Sequence, residues 1–550
     1  MKKQIMTLAL AGALALGSAG LASAACINPG YNGDGSCADL NIYGASAQFN
    51  FYQAEIAAFL ASATGGNCTV PNFSSKLNGK QFFQIGTQCG AGHNQSIVMR
   101  LANKASFDGV ASISGQDLVG TGITNYAGDP DANGSATTGA PGGCQTVNLH
   151  ERTFCNETDP TCTAVACQTV NVGAADVAFT DFVQTSTSAP GNIIGPYGHA
   201  NGTEVYTGVP APFNRTFPSS GMEPGAGGNL LNDTLINSNQ PFIIPFSFFV
   251  NNAVKVSKCT NAGWAGHLCT GDATDCGSTP AACVSNTLDN MTHPMAVMIF
   301  SRQADSWTDF GPWFVAGQTL DVCVRHAGSG SHAMVDWTIM HGEAQSGNDD
   351  TIMGALANVE GATGVGLSGP GYVWFNDGTG DNMNCANRVA YPLACTAAGT
   401  PYLCCTGAGP AASTGCPAHP GSVTYADSDQ ALSTPAYGST KYANVVELKY
   451  QGEYGRHNSL VNGMYDFYTH EHAYTSANSL ANAGTATVWT NFQSYIAGQQ
   501  AAGLLPGSTS ATPDSSEAAF WAYPCQMTWD KGNNQFYPGV VGTSCPNGDL

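Results

Sequence analysis

Charge is scarce in this chain. Of 550 residues only 10% are charged, and 17 basic residues face 38 acidic ones, for a net charge of −21. That balance argues against nucleic acid and anionic lipid as partners. It does not exclude a small anion, because buried anion sites draw on neutral backbone and hydroxyl dipoles. Long apolar runs are missing too. After the first residues nothing approaches the ~20 apolar residues that span a bilayer, and the longest run, Pro241 to Val250, falls well short. The mature chain therefore has no transmembrane segment. No C-x-x-C pair occurs, which leaves zinc poorly served, and without C-x-x-C-H a c-type cytochrome is excluded. A P-loop is absent. Gly328-Ser329-Gly330 is not G-x-S-x-G, and no His or Asp stands where it would make Ser329 a nucleophile. The chain carries no mark of an enzyme, and it implies no cofactor and no metal.

What the chain does have is cysteine, glycine and an export signal. Lys2 and Lys3 precede a mostly apolar stretch from Ile5 to Leu16, and Ala22-Ser23-Ala24 supplies a small-x-small cleavage pattern. Residues 1–24 are expected to be removed on export to the periplasm or the extracellular space. A lipoprotein box at Cys26 would need Leu where Ser23 stands. Twenty cysteines suit an oxidising compartment. They fall in local groups within Gly/Thr/Ala-rich stretches, as disulfide-closed loops would. Cys323 stands apart, and the five cysteines from Cys385 to Cys416 leave one that could meet it.

Along the chain, strands alternate with helices between long excursions. Strands are expected at Leu40 to Tyr43, Gln81 to Ile85, Phe242 to Val250, 319–325, 371–375 and Val445 to Tyr450. Helices are expected at Phe49 to Leu60, Ser96 to Ala102, 293–301, 332–341, 349–358 and Thr487 to Ala501. Residues 113–170, 183–240, 256–288 and 376–440 read as loop-rich insertions. Asp129 to Gly134 matches half of a calcium loop, but its twelfth position is Ala140 rather than Glu, so a plain Asx-rich turn is the better reading. This alternation predicts an α/β fold.

Three segments share one layout, a strand that runs into a small-residue turn and then a helix. The first is Gly44-Ala45-Ser46-Ala47-Gln48-Phe49. The second is Val172-Gly173-Ala174-Ala175-Asp176. In the third, Arg325 ends a strand and Gly328-Ser329-Gly330-Ser331 leads into a helix near His332. A Gly-Ser turn lets backbone N–H groups converge, a helix N-terminus adds partial positive charge, and Arg325 can fork two N–H groups onto an oxyanion. Each feature also has a plain structural reading, as a turn with Ser caps or an Asp cap. Beside an anion, Asp176 makes sense if the anion carries a proton, because a carboxylate accepts a hydrogen bond that sulfate cannot offer. Thr469-His470-Glu471-His472 offers a histidine pair, but without a nearby third ligand it reads as solvated surface.

In this order the three segments resemble those of the periplasmic phosphate-binding proteins of ABC importers. That family has a G-A-T-x-F-like first turn, a G-A-S-D second turn and an R-x-x-G-S-G-T third turn. Met295 to Gly311, Ser346 to Gly366, Gly371-Tyr372-Val373 and Val445 to Tyr468 resemble further family segments, so the likeness spans about 40 to 470. Carried over by position, it implies that Ser46 and the Ala47 amide bind phosphate from one side. Arg325, Ser329, Gly330 and Ser331 bind from the other, and Asp176 accepts the phosphate proton. Two positions depart from the pattern. Ala327 stands where the family has an acid that orients the Arg, and the family's second-loop Ser has no clear counterpart, Thr87 to Gly92 being the nearest region.

The resemblance implies a two-lobed type II periplasmic-binding fold. Residues 37–250 and 425–540 would form lobe one and 255–425 lobe two, with inorganic phosphate or a related oxyanion in the cleft and an inner-membrane ABC permease as partner. The alternative is an extracellular scaffold or surface protein that kept the fold and lost transport. The Cys-rich insertions favour that alternative, and the Arg325, Ser329 and Ser331 set disfavours it.

Overall fold

A computed structural model describes residues 36–70, 74–77, 81–93, 95–103, 106–114, 150–156, 159, 165–177, 192–196, 214–216, 235–300, 303–316, 318, 320–325, 329–340, 372–376, 379–387, 421–506, 519–531 and 539–540. The export signal, the Asx-rich turn at 129–134, the helix expected at 349–358 and residues 326–328 lie outside them.

Two mixed sheets organise the chain. The strands of the first are β1 (Ser36–Gly44), β2 (Ser74–Leu77), β3 (Gln81–Cys89), β4 (Gln95–Asn103), β5 (Val172–Ala175), β6 (Leu235–Asn239) and, from far along the chain, His472–Ser476. The second contains β7 (Ile243–Asn251), β8 (Asp321–Arg325), β9 (Tyr372–Asn376), β10 (Ser422–Asp427), β11 (Val445–Glu447) and β12 (Tyr468–His470). With His472–Ser476 as β13, the first sheet runs β6-β13-β5-β1-β4-β3-β2. The second runs β9-β8-β10-β7-β11, with β12 on β7. The β4-β1-β5 and β9-β8-β10 runs are parallel.

Two strand pairs cross from one sheet to the other side by side. The chain leaves β6, enters β7, and returns through β12 into β13. Ile243 pairs with His470, and the Glu471 N–H donates to the Phe242 carbonyl at 3.0 Å. Every residue of β7 is buried, which is why its side chains show no polar alternation. β7 sits in the second sheet, although the sequence reading closes its first unit at residue 250.

Two other expectations change. Ser96 to Ala102 is strand rather than helix. β4 lies between β1 and β3 and buries nearly all of its residues, and a short continuous apolar run does not reveal its period. The stretch 376–440 is not all loop either, since it contributes β10 to the middle of the second sheet.

Helices cover the sheets. α1 (Phe49–Ala61) buries Phe51, Tyr52, Ile56, Phe59 and Leu60. Phe59 meets Phe492 of α6 (Ala483–Ala501) edge-on at 5.2 Å. The Asn482 side chain accepts the N–H groups of Gly484 and Thr485, so α6 starts four residues earlier than its apolar spacing predicts. Between them in sequence lie α2 (Ser106–Ser114), α3 (His293–Phe300), α4 (Gly330–Met334, continuing through Val335–Ile339 in a wider π winding) and α5 (Thr379–Ala386).

Disulfides join Cys68 to Cys89, Cys259 to Cys276, Cys269 to Cys283 and Cys323 to Cys385. The middle two staple the 256–288 insertion, a hairpin of Lys255–Cys259 on Cys283–Thr287. The last ties β8 to α5 and pairs the isolated Cys323 within the 385–416 group. Such bonds suit an oxidising compartment. Among the described residues no helix is long and apolar enough to cross a membrane.

Candidate functional site

The three sequence turns converge. β1 ends at Gly44, whose φ is +138° and where a Cβ would lie 2.1 Å from the Ala174 carbonyl oxygen. Only glycine lets the chain turn there against β5. The next amide, Ala45 N–H, donates to that carbonyl at 2.9 Å. Parallel neighbours β1 and β5 thus deliver Ser46 and Asp176 at the same sheet edge, with Ala47 buried beside Ser46. From the second sheet, β8 delivers Arg325, and α4 begins with Gly330 and Ser331.

Among the described residues, two groups of contacts between the two sides involve these turns. Arg325, 1% exposed, donates from Nη1 to the Thr379 hydroxyl at 3.0 Å, and Thr379 Oγ1 lies 3.0 Å from Ser46 Oγ. Since Thr379 accepts from the guanidinium, its own proton is available to Ser46. In the second group Ser106 Oγ accepts two backbone N–H groups, from Asp176 at 3.1 Å and from Gly330 at 3.2 Å. The Ser331 hydroxyl donates to Asp176 Oδ2 at 3.4 Å. This approach depends on the missing side chain of Gly330. A Cβ there would lie 2.5 Å from Ser106 Oγ and 2.6 Å from Asp176 Cβ.

Ser329 Oγ, Asp176 Oδ1 and His332 Nε2 are buried in this enclosure without a hydrogen-bond partner among the described residues. A buried polar atom in that state is costly unless a ligand or water satisfies it. Burial pushes the Asp176 carboxyl up to about 6, against the opposing pull of Arg325. His332, on α4, shares the Tyr425 hydroxyl with Arg325. The Arg325 N–H donates to it at 3.0 Å, and His332 Nδ1 lies 3.1 Å away. Burial and the nearby guanidinium hold His332 down at about 3, so it is neutral. Arg325 is therefore the cation that acts on Asp176 among the described residues.

Six of the seven sequence-selected residues take part in these contacts or lie unpaired among them: Ser46, Asp176, Arg325, Ser329, Gly330 and Ser331. Ala47 adjoins Ser46. Thr379 orients Arg325, a task the sequence reading leaves open because Ala327 is not an acid. Ser106 lies between the Asp176 and Gly330 turns, and Thr87 does not take part there. Thr87 instead pairs with Thr69, accepting its N–H at 2.8 Å, next to the Cys68–Cys89 bond. Thr469-His470-Glu471-His472 is not a solvated surface. All four residues are 3% exposed or less, because they form the crossing from β12 to β13.

No protein-family model matches the chain, and no curated protein does. Among solved structures, it is similar to a Clostridium perfringens protein assigned as a phosphate ABC transporter substrate-binding protein with bound phosphate. Identity is 8% and the TM-score 0.35, over 84% of this chain and 93% of that one. An ABC-type phosphate transport receptor of Vibrio cholerae matches at 9% identity and TM-score 0.23, over 50% of this chain and 70% of the other. A Planctomyces limnophilus protein described as a possible phosphate-binding one matches at 9% and 0.25, over 82% and 87%.

Proposed function

We propose that the chain is an exported binding protein that captures phosphate, or a close oxyanion relative, between its two sheets. One observation carries this reading. A buried guanidinium from β8 and a buried carboxyl from β5 meet around the Gly-Ser turn of α4, with Ser329 Oγ and Asp176 Oδ1 left for a ligand. Arg325 and the hydroxyls of Ser46 and Ser329 are donors to bare anion oxygens, as is the amide of Ala47, while the Gly330 amide and the Ser331 hydroxyl hold Ser106 and Asp176 beside them. Asp176 is an acceptor, so it selects an anion that still bears a proton. Phosphate near neutral pH does, and sulfate does not.

In this reading the sheets belong to two lobes of a type II periplasmic-binding fold, and the paired crossings β6–β7 and β12–β13 are the hinge about which they close. The Ser106–Gly330 and Ser46–Thr379 contacts are then closing contacts. Delivery to an inner-membrane ABC permease is the accompanying proposal. Equilibrium titration of the purified mature chain with phosphate, arsenate and sulfate tests it. Saturable binding of phosphate and arsenate with sulfate excluded is expected, and failure to bind any of the three would sink the proposal.

A further inference from the structure

Glu471 lies at the crossing between β12 and β13, and it is fully buried. Neither of its side-chain oxygens has a hydrogen-bond partner among the described residues, and Asp176 Oδ1 has none either. The strand register explains why these groups matter to each other. His472 on β13 pairs with Ala175 on β5, and Ala473 pairs with Ala174. One position further on, Glu471 comes opposite Asp176, where facing side chains are neighbours. The Gln48 amide pins the two strand ends together there, donating from Nε2 to the Ala175 carbonyl at 2.9 Å and to the His472 carbonyl at 3.1 Å.

Two ionised carboxylates cannot be buried face to face at low cost. The surroundings relieve the repulsion only in part, with the Gln48 amide favouring the Glu471 carboxylate and Ser106 and Arg325 that of Asp176. Arg325 acts on Asp176 from β8, but Asp427 of β10 adds a further negative group that raises both carboxyls. Tyr52 of α1 faces Glu471, and its hydroxyl also lacks a partner among the described residues. Of the flanking histidines, His472 is held neutral by burial, at about 3, and His470 is engaged with Asp530 through Nε2 at 2.5 Å. An incoming oxyanion would add still more negative charge. A proton is the remaining way to balance the site.

We propose that Glu471 and Asp176 share one proton, and that Glu471, as its donor, positions the Asp176 carboxylate to accept from a protonated oxyanion. This rests on the binding function proposed above. Burial and the facing Asp176 push Glu471 well above the usual carboxylate range, while Asp176 rises to about 6. The pair therefore loses its protons in two steps, and the one that stays on longer sits on Glu471. Glu471 is a positioning residue in this scheme. Asp176 Oδ1, held by the Glu471 proton, keeps its second lone pair for the ligand, and a protonated Glu471 keeps the hinge crossing from adding a second charge behind the anion.

The test uses the mature chain with Glu471→Gln, which keeps a donor but cannot titrate, and with Glu471→Met, which removes the donor. The first readout needs no ligand. A carboxyl whose pKa is raised by folding holds a proton in the native state that the unfolded chain releases. Its stabilising effect is present below the unfolded value, about 4.3, and is lost as pH rises towards the folded value. Thermal unfolding across that window should show wild type losing ground to Glu471→Gln as pH rises. At about pH 7, Glu471→Gln should keep the wild-type phosphate-over-sulfate preference within about threefold, and Glu471→Met should narrow it by about tenfold or more. Parallel unfolding profiles for wild type and Glu471→Gln would overturn the shared proton, and a wild-type preference in Glu471→Met would overturn the positioning role. If the profiles diverge but phosphate binds to none of the three proteins, the shared proton stands and the phosphate reading falls. Should Glu471→Gln fail to fold, infrared spectra of wild type and Glu471→Met decide, because a protonated-carboxyl band present in wild type at about pH 7 must be lost with Glu471.

Discussion

Ser106 Oγ accepts the Gly330 N–H at 3.2 Å, across the boundary between the two sheets, while also accepting the Asp176 N–H at 3.1 Å. One hydroxyl thus ties together two of the three turns that the sequence singles out. The contact exists because residue 330 has no side chain.

Gly330→Ala should therefore act on closure more than on folding. Its Cβ would meet Ser106 Oγ at 2.5 Å and Asp176 Cβ at 2.6 Å, and neither atom is the far end of a flexible chain. Phosphate affinity should fall about tenfold or more, roughly 1.4 kcal/mol, while the melting temperature without ligand changes little. Calorimetric titration and a thermal melt on one preparation check this.

Arg325→Ala should weaken anion binding more than any other single change in the second sheet or α4. Removing one partner of a buried, charge-assisted contact typically costs ~2–5 kcal/mol. Ser329→Ala should cost about 0.5–1.5 kcal/mol, as for a neutral hydrogen bond. Titration of both variants against wild type ranks them. If Arg325→Ala binds like wild type, the anion sits elsewhere.

Part of this site is legible in the sequence because a strand, a small-residue turn and a helix leave a local signature. Ser46, Asp176, Arg325 and the Gly-Ser turn all carry it. The partners that complete the site leave none. Ser106 follows β4, whose run is buried against strands on both edges and mimics a helix. Thr379 opens α5 within a Gly- and Asp-rich stretch that reads as loop. Glu471 sits between two histidines, a polar string that looks exposed until the crossing strands bury it. The α/β alternation is similarly readable, but the long-range choices are not. That β10 inserts between β7 and β8 depends on pairings between residues far apart in sequence.

The Cys323–Cys385 bond should matter to the site as well as to stability. It fastens β8, which carries Arg325, to α5, which begins with Thr379. Closing a separation of 62 residues stabilises by about 4 kcal/mol on a chain-entropy estimate. The double Ser variant should unfold at lower temperature and bind phosphate more weakly. Peptide mapping without reduction should recover this link and those of Cys68–Cys89, Cys259–Cys276 and Cys269–Cys283, and free thiols at these positions would contradict the assignment.

The central claim is that Asp176 faces the anion and accepts its proton. A carboxylate there accepts from P–OH and repels an oxygen that carries no proton, so discrimination against sulfate comes from repulsion. Asp176→Asn keeps the shape, removes the charge and lets the amide donate to a bare oxygen. Competitive binding of phosphate and sulfate to wild type and Asp176→Asn, at one pH and one salt concentration, is the most direct test. The phosphate-over-sulfate preference should narrow by at least about tenfold, or 1.4 kcal/mol, with phosphate affinity itself little changed. An unchanged preference would contradict the account, because Asp176 would then not face the ligand.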